Sequence, residues 1–266
     1  MRRWTLSALV AAFVLALAPA AAAQSEGGQV SVIHGIPGLT VDVFVNGDET
    51  LPGFEPGDVA GPLELPAGDY ELAIAPAGEG IDAAVLEGTA TVTDGLNASI
   101  VAHLTEDGDP TISIFVNDTS EIAGGESRLV VRHTAAAPTV DILLADGTEL
   151  FTGVSNPQEG QADVPAGSYD VEISPAGAGV DGSVFSAPGV ELAEGTARIV
   201  YATGDLAGGS FGLVIQDITG LHTAPDTVNT GGELAGGPAT WLIALMGIAL
   251  VGGAAAATPL VARRTR

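Results

Sequence analysis

The 266-residue chain contains no cysteine and no lysine. Without cysteine there are no disulfide staples, no thiol nucleophile and no lipoprotein-type processing. Each domain must therefore hold itself together by burying apolar surface. Basic residues are scarce, with eight arginines against 33 acids and a net charge of −25. All 33 acids fall between Glu26 and Glu233, where Arg128, Arg132 and Arg198 are the only bases. A field of that sign repels phosphate backbones and argues against nucleic acid as a partner. Cations, basic partners and simple solvation stay open. Aromatics make up only 5%, and both tryptophans, Trp4 and Trp241, lie in the terminal segments, away from any sugar-stacking platform. No His-Glu-x-x-His pair is present. Among so many acids, no carboxylate pair for glycoside hydrolysis can be singled out.

Both ends are apolar. Arg2 and Arg3 precede an apolar run over residues 6–17, and Ala21-Ala22-Ala23 satisfies the small-x-small rule. Residues 1–23 thus read as a secretory signal peptide, because the run is too short for a membrane-spanning helix. Residues 239–262 carry no charge and precede Arg263, Arg264 and Arg266. As a helix they would extend about 36 Å, enough to cross a bilayer, with the basic tail 263–266 cytoplasmic and the preceding domains outside. Residues 218–238, rich in Gly, Thr and Pro, read as a flexible stalk. Within them Thr227-Val228-Asn229-Thr230-Gly231, followed by the apolar span and basic tail, resembles a Gram-positive wall-sorting signal. That resemblance implies transpeptidase cleavage between Thr230 and Gly231, an alternative to retained membrane anchoring. Here Thr227-Val228 stands where the usual Leu-Pro or Leu-Ala opening would be.

Between the ends one unit is written twice at an offset of 99 residues. His34 returns as His133, Val41-Asp42 as Val140-Asp141, and Pro66-Ala67-Gly68-Asp69-Tyr70 as Pro165-Ala166-Gly167-Ser168-Tyr169. Pro76-Ala77-Gly78 returns as Pro175-Ala176-Gly177, Ile100-Val101 as Ile199-Val200, and Asp118 as Asp217. The comparison asks for no gap. It places repeat 1 at 29–118, a linker at 119–127 and repeat 2 at 128–217.

Each unit has the period of two that marks strands. Val30, Val32 and His34 share a face, as do Val41, Val43 and Val45, and Tyr70, Leu72 and Ile74. Seven or eight short strands per unit, separated by Gly- and Pro-rich turns, predict an all-β chain of two tandem Ig-like, Greek-key-type β-sandwich domains. The ordered motifs Val-x-His, Val-Asp-Val/Ile, Pro-Ala-Gly-x-Tyr and Pro-Ala-Gly-x-Gly resemble the bacterial domain of unknown function 4397. The resemblance covers both units. It implies an extracellular, often duplicated surface module, and brings no catalytic residues with it.

Six positions shared by the repeats are candidates for a ligand or structural role. His34 and His133 end a core-facing series, where a ring nitrogen can bond a loop or, with partners, hold a metal. Asp42 and Asp141 point to the face opposite the core, as repeated ligand or cation contacts or as carboxylates bonded to a neighbouring loop N–H. Tyr70 and Tyr169 follow a Pro-Ala-Gly turn, so a buried ring whose hydroxyl pins a loop is expected, beside a binding role. His103 and His222 lack a histidine counterpart, the first facing Ala202 at the 99-residue offset. Gly78-x-Gly80 and Gly177-x-Gly179 precede strand-like sequence, not a helix, and are assigned to turns of positive φ rather than to a dinucleotide loop. Glu106, Asp107 and Asp109 cluster at a turn without EF-hand spacing, so calcium is a candidate only, and no other cofactor is expected. The expected function is a surface-anchored, non-enzymatic recognition or adhesion module for an envelope or extracellular ligand. A hydrated acidic spacer and an extracellular carboxylate-dependent hydrolase are the alternatives.

Overall fold

The computed structural model describes residues 27–222. Repeat 1 supplies eight strands: β1 (Gly28–His34), β2 (Val41–Val45), β3 (Asp48–Phe54), β4 (Val59–Leu65), β5 (Gly68–Pro76), β6 (Leu86–Val92), β7 (Asn97–Leu104) and β8 (Pro110–Val116). Repeat 2 supplies β9 (Glu126–His133), β10 (Val140–Leu144), β11 (Glu149–Val154), β12 (Glu159–Pro165), β13 (Gly167–Pro175), β14 (Phe185–Leu192), β15 (Ala197–Thr203) and β16 (Gly212–Ile218). Helical geometry among the described residues is confined to two 3-10 turns, Ile81–Ala83 and Val180–Gly182. The protein is all-β. The expected signal peptide, membrane helix, basic tail, most of the stalk and the Thr230-Gly231 junction lie outside the described residues. No helix among the described residues is long and apolar enough to cross a membrane.

Each repeat forms two four-stranded sheets in the same order. Repeat 1 has β4-β1-β7-β8 and β3-β2-β5-β6; repeat 2 has β12-β9-β15-β16 and β11-β10-β13-β14. Every ladder is antiparallel except β1 with β7 and β9 with β15. The order is not the immunoglobulin one, in which the first strand pairs with the second. Here the first strand sits between the fourth and the seventh. The likeness to that fold therefore stops at the layered architecture, since pairing between such distant strands leaves no trace in local periodicity.

Between the sheets of repeat 1, Val30, Leu72 and Ile100 form one apolar cluster and Val41, Val43 and Ile74 another. In repeat 2, Leu129, Val131, Ile142, Val171, Ile173 and Val200 form a single cluster. The predicted inward series are thus the ones that meet. β7 and β9, however, are buried along almost their whole length. A strand of an antiparallel sheet with one wet face alternates, so the outer faces of these two sheets must also be covered.

Hydrogen-bond register corrects the expectation of an ungapped repeat. The offset is 99 at β2, where Val41 matches Val140, but 100 at the partner strand, where Phe54 matches Val154. Repeat 2 has one more residue in the hairpin turn before β11. Repeat 1 recovers it in β4, where Gly61-Pro62 correspond to a single residue of β12, Gln161. A bulge in β14 at Pro188-Gly189 restores the offset of 100, so that Ile100 aligns with Val200, Val101 with Tyr201 and His103 with Thr203. The β15–β16 connection adds one more, pairing Ile114 with Ile215 and Val116 with Asp217. The matches of Ile100-Val101 with Ile199-Val200 and of Asp118 with Asp217 are coincidences of composition.

Candidate functional site

The six repeated polar residues hold loops. The His34 ring, 1% exposed, donates from Nε2 to the Leu39 carbonyl at 2.8 Å, and the Ile36 N–H points at Nδ1 at 3.4 Å. His133 does the same with Pro138 at 2.9 Å and Ala135 at 3.4 Å. Both rings serve as neutral imidazoles, and burial lowers both pKa values below 6.5. The Asp42 carboxylate is nearly buried beneath its loops and accepts the Gly53 and Gly78 N–H groups, each at 2.7 Å. These two donors hold its pKa below the ordinary value. Asp141 takes Gly153 at 2.8 Å and Gly177 at 2.7 Å. Gly78 and Gly177 both adopt φ of 79°, a conformation that L side chains avoid. The Tyr70 and Tyr169 hydroxyls donate to the Pro66 and Pro165 carbonyls, closing the Pro-Ala-Gly turn at 2.8 and 2.7 Å. Their rings are half-buried rather than buried, each near the start of its strand.

The acidic turn is built by backbone. Thr105 accepts from the Gly108 N–H at 3.0 Å and donates to the Asp109 carbonyl at 2.8 Å. Among the described residues no group of three His, Asp or Glu side chains is placed to hold a metal ion. Gly208-Gly209-Ser210-Phe211-Gly212 has the spacing of a nucleophile elbow. It lies in the loop between β15 and β16, with no helix after it, and Ser210 Oγ accepts the Asp205 N–H at 3.0 Å. A turn is what that serine serves.

Sequence reasoning missed the seam between the repeats. The sheet β4-β1-β7-β8 packs against β12-β9-β15-β16, burying Ile33 and Val101 of repeat 1 with Val130, Ile199, Tyr201 and Val214 of repeat 2. In the middle lies Arg132, 1% exposed. Its Nε donates to Glu159 at 2.8 Å, Nη1 to the Tyr201 hydroxyl at 2.9 Å and Nη2 to Asn117 Oδ1 at 2.9 Å. The guanidinium carbon lies 4.5 Å from the Phe115 ring centre, a cation–π contact across the seam. The Tyr201 hydroxyl donates to Gln216 Oε1 at 2.6 Å, which also accepts from Ser99 at 2.9 Å, while Gln216 Nε2 donates to Ser31 at 3.0 Å. Burial raises the Tyr201 pKa, keeping the phenol protonated for this role. Nearby, Arg128 holds Asp163 through Nε and Nη2 at 2.8 and 3.0 Å and also reaches Asp118. The signal was present in the alternation Arg128-Val130-Arg132, which puts two of the three scarce bases on the strand face away from the core.

Residues 28–143 match the model of a domain of unknown function, DUF4397. The DUF4397 match takes in all eight strands of repeat 1, the connection beyond it, β9 and most of β10. A second similarity, 40% identical over 84 residues, is to 2-succinyl-5-enolpyruvyl-6-hydroxy-3-cyclohexene-1-carboxylate synthase of Mycobacteroides abscessus. It spans 31% of this chain and only 14% of that protein.

Two spaces open between sheets. In the DUF4397-matched repeat a cavity of about 200 Å³ lies beside β3 and β4, lined by apolar side chains with Asp48 and Thr50 as its exposed polar lining residues. In repeat 2 the corresponding edge is shut. The register puts Phe151 where repeat 1 has Leu51, and Gly160 where it has Ala60. A Cβ on Gly160 would stand 2.5 Å from the Phe151 ring. Repeat 2 opens instead beside β14 and β16, with a space of about 280 Å³ whose lining includes Arg198 and Glu191. Arg198 is bidentate to Asp217 at 2.8 and 2.7 Å.

Proposed function

We propose that the chain is an exported, surface-anchored and non-enzymatic recognition module, with two DUF4397-type repeats displayed as one block beyond a membrane helix. The observation that carries this reading is the Arg132 network, which couples the repeats through Asn117 and leaves the acidic loops and edges as the presented surface. The repeated histidines, aspartates and tyrosines support it too, because each is committed to its own backbone instead of converging on a reaction centre. Loops and edges of sandwiches are where such scaffolds carry recognition. A hydrated spacer is the second reading, favoured by the same coupling together with the excess of acids.

Deletion of residues 239–266 should release the protein into the medium, and protease added to intact cells should remove the full-length form. Retention of the truncated chain inside the cell would overturn the export reading. Thermal unfolding with and without calcium, at matched ionic strength, separates a native cation site from a solvation role. A calcium-specific rise in Tm signals binding to the folded state. Recovery of a basic or glycan ligand from envelope extracts supports recognition, and an abundant protein that binds none supports the spacer.

A further inference from the structure

We propose that the cavity of repeat 1 is a binding site for a small, neutral or cationic apolar molecule, the size of one aromatic ring or a short alkyl chain. The inference concerns the interior of one sandwich and holds independently of export. Its volume, about 200 Å³, exceeds the roughly 150 Å³ at which an apolar protein cavity stays dry and takes up benzene. Val43, Leu51, Leu63 and Ile112 supply walls that offer water no partners. Water needs two to four polar contacts to occupy such a space, so an apolar guest gains what water cannot. The exposed Asp48 and Thr50 line the same cavity. Together with the net charge of −25, Asp48 disfavours a carboxylate or phosphate guest and favours an ammonium or hydroxyl at the outer end.

Repeat 2 shows how the same fold closes this space. Phe151 fills the position of Leu51, and Gly160 makes room for it. The decisive experiment is a methyl NMR titration of the full-length chain with benzylamine, benzyl alcohol and benzoate. Benzylamine and benzyl alcohol are expected to shift the methyl resonances of Val43, Leu51 and Ile112, with benzoate at least tenfold weaker. Leu51→Phe should weaken both good probes at least tenfold. Leu51→Phe with Ala60→Gly, the pair that coexists in repeat 2, should do the same and guards against misfolding of the single variant. Asp48→Asn should reduce the preference for benzylamine over benzyl alcohol and leave benzyl alcohol binding unchanged. The site is disproved if no probe moves these methyls at millimolar concentration, or if Leu51→Phe leaves the shifts intact. Equal binding of benzoate would overturn the assigned ligand charge.

Discussion

In repeat 1 the space between the sheets opens beside β3 and β4, whereas in repeat 2 it opens beside β14 and β16. The strand order is the same, and so are the histidine, aspartate and tyrosine loop pins. A few side chains decide which edge closes. At the first edge Leu51 with Ala60 faces Phe151 with Gly160, and the phenyl ring shuts repeat 2. At the second edge Ala98 and Val116 of repeat 1 correspond to Arg198 and Asp217 of repeat 2. An ion pair replaces an apolar pair, and the β14 bulge at Gly189 stands beside it. Strand order and the loop pins are common to both repeats, whereas the filling between the sheets is redistributed from one edge to the other.

The seam gives the largest expected effect. Arg132→Met removes the donor to the buried Tyr201 hydroxyl and one donor to Asn117 Oδ1, while Glu159 stays solvated, so a loss of about 2–3 kcal/mol is expected in denaturant unfolding. The two repeats should then unfold in separate transitions where the parent shows one. A single unchanged transition would mean that the apolar contacts and the Gln216 hydrogen bonds join the repeats without Arg132.

The cavity comparison comes next. A closed void of this volume would cost on the order of 5 kcal/mol, and less when its mouth is wet. Leu51→Phe with Ala60→Gly should therefore stabilise the protein by about 1–2 kcal/mol. The reciprocal Phe151→Leu in repeat 2 should cost about 1 kcal/mol. Measured side by side by urea denaturation, equal signs for the two exchanges would break the comparison.

Acid should weaken both repeats. His34, His103 and His133 all have pKa values lowered by burial from 6.5. The unfolded chain takes up protons first as pH falls. The stability these rings confer is complete above about pH 6.5, declines below it, and levels off beneath the folded pKa values. Urea midpoints at pH 7.5 and 5.5 should fall in that order, and His34→Gln with His133→Gln should flatten the slope. A midpoint that rises on acidification would contradict the neutral assignment.

The smallest effect lies at one buried hydroxyl. Ser174 Oγ has no hydrogen-bond partner and occupies the position of Ala75 in repeat 1. Ser174→Ala should be neutral or gain up to about 1 kcal/mol, as removing an unpaired buried polar group does. A clear loss in thermal unfolding would reveal a partner for it.

Much of each sandwich was legible residue by residue. The series Val41-Val43-Val45 and Tyr70-Leu72-Ile74 alternate because one face of each strand is dry, and the Pro-Ala-Gly turns announce their own tyrosine. β3 and β4 were harder to see, because Pro52-Gly53 and Gly61-Pro62 break their runs. Proline is tolerated there because both are edge strands, with one side free of ladder bonds. The depth of Asp42 was hidden for another reason: an acid at an outward strand position looks solvated until the Gly53 and Gly78 loops fold over it.

The sequence by itself determined the all-β class, the duplication, the turn glycines and the strong acidity, since each follows from composition, period two or direct repetition. Tertiary structure alone decided the parallel pairing of β1 with β7, the one-residue shifts between repeats, the seam around Arg132 and the edge at which each sandwich opens. These depend on contacts between residues far apart in the chain, where the partner of a side chain is chosen by packing and not by its neighbours in sequence.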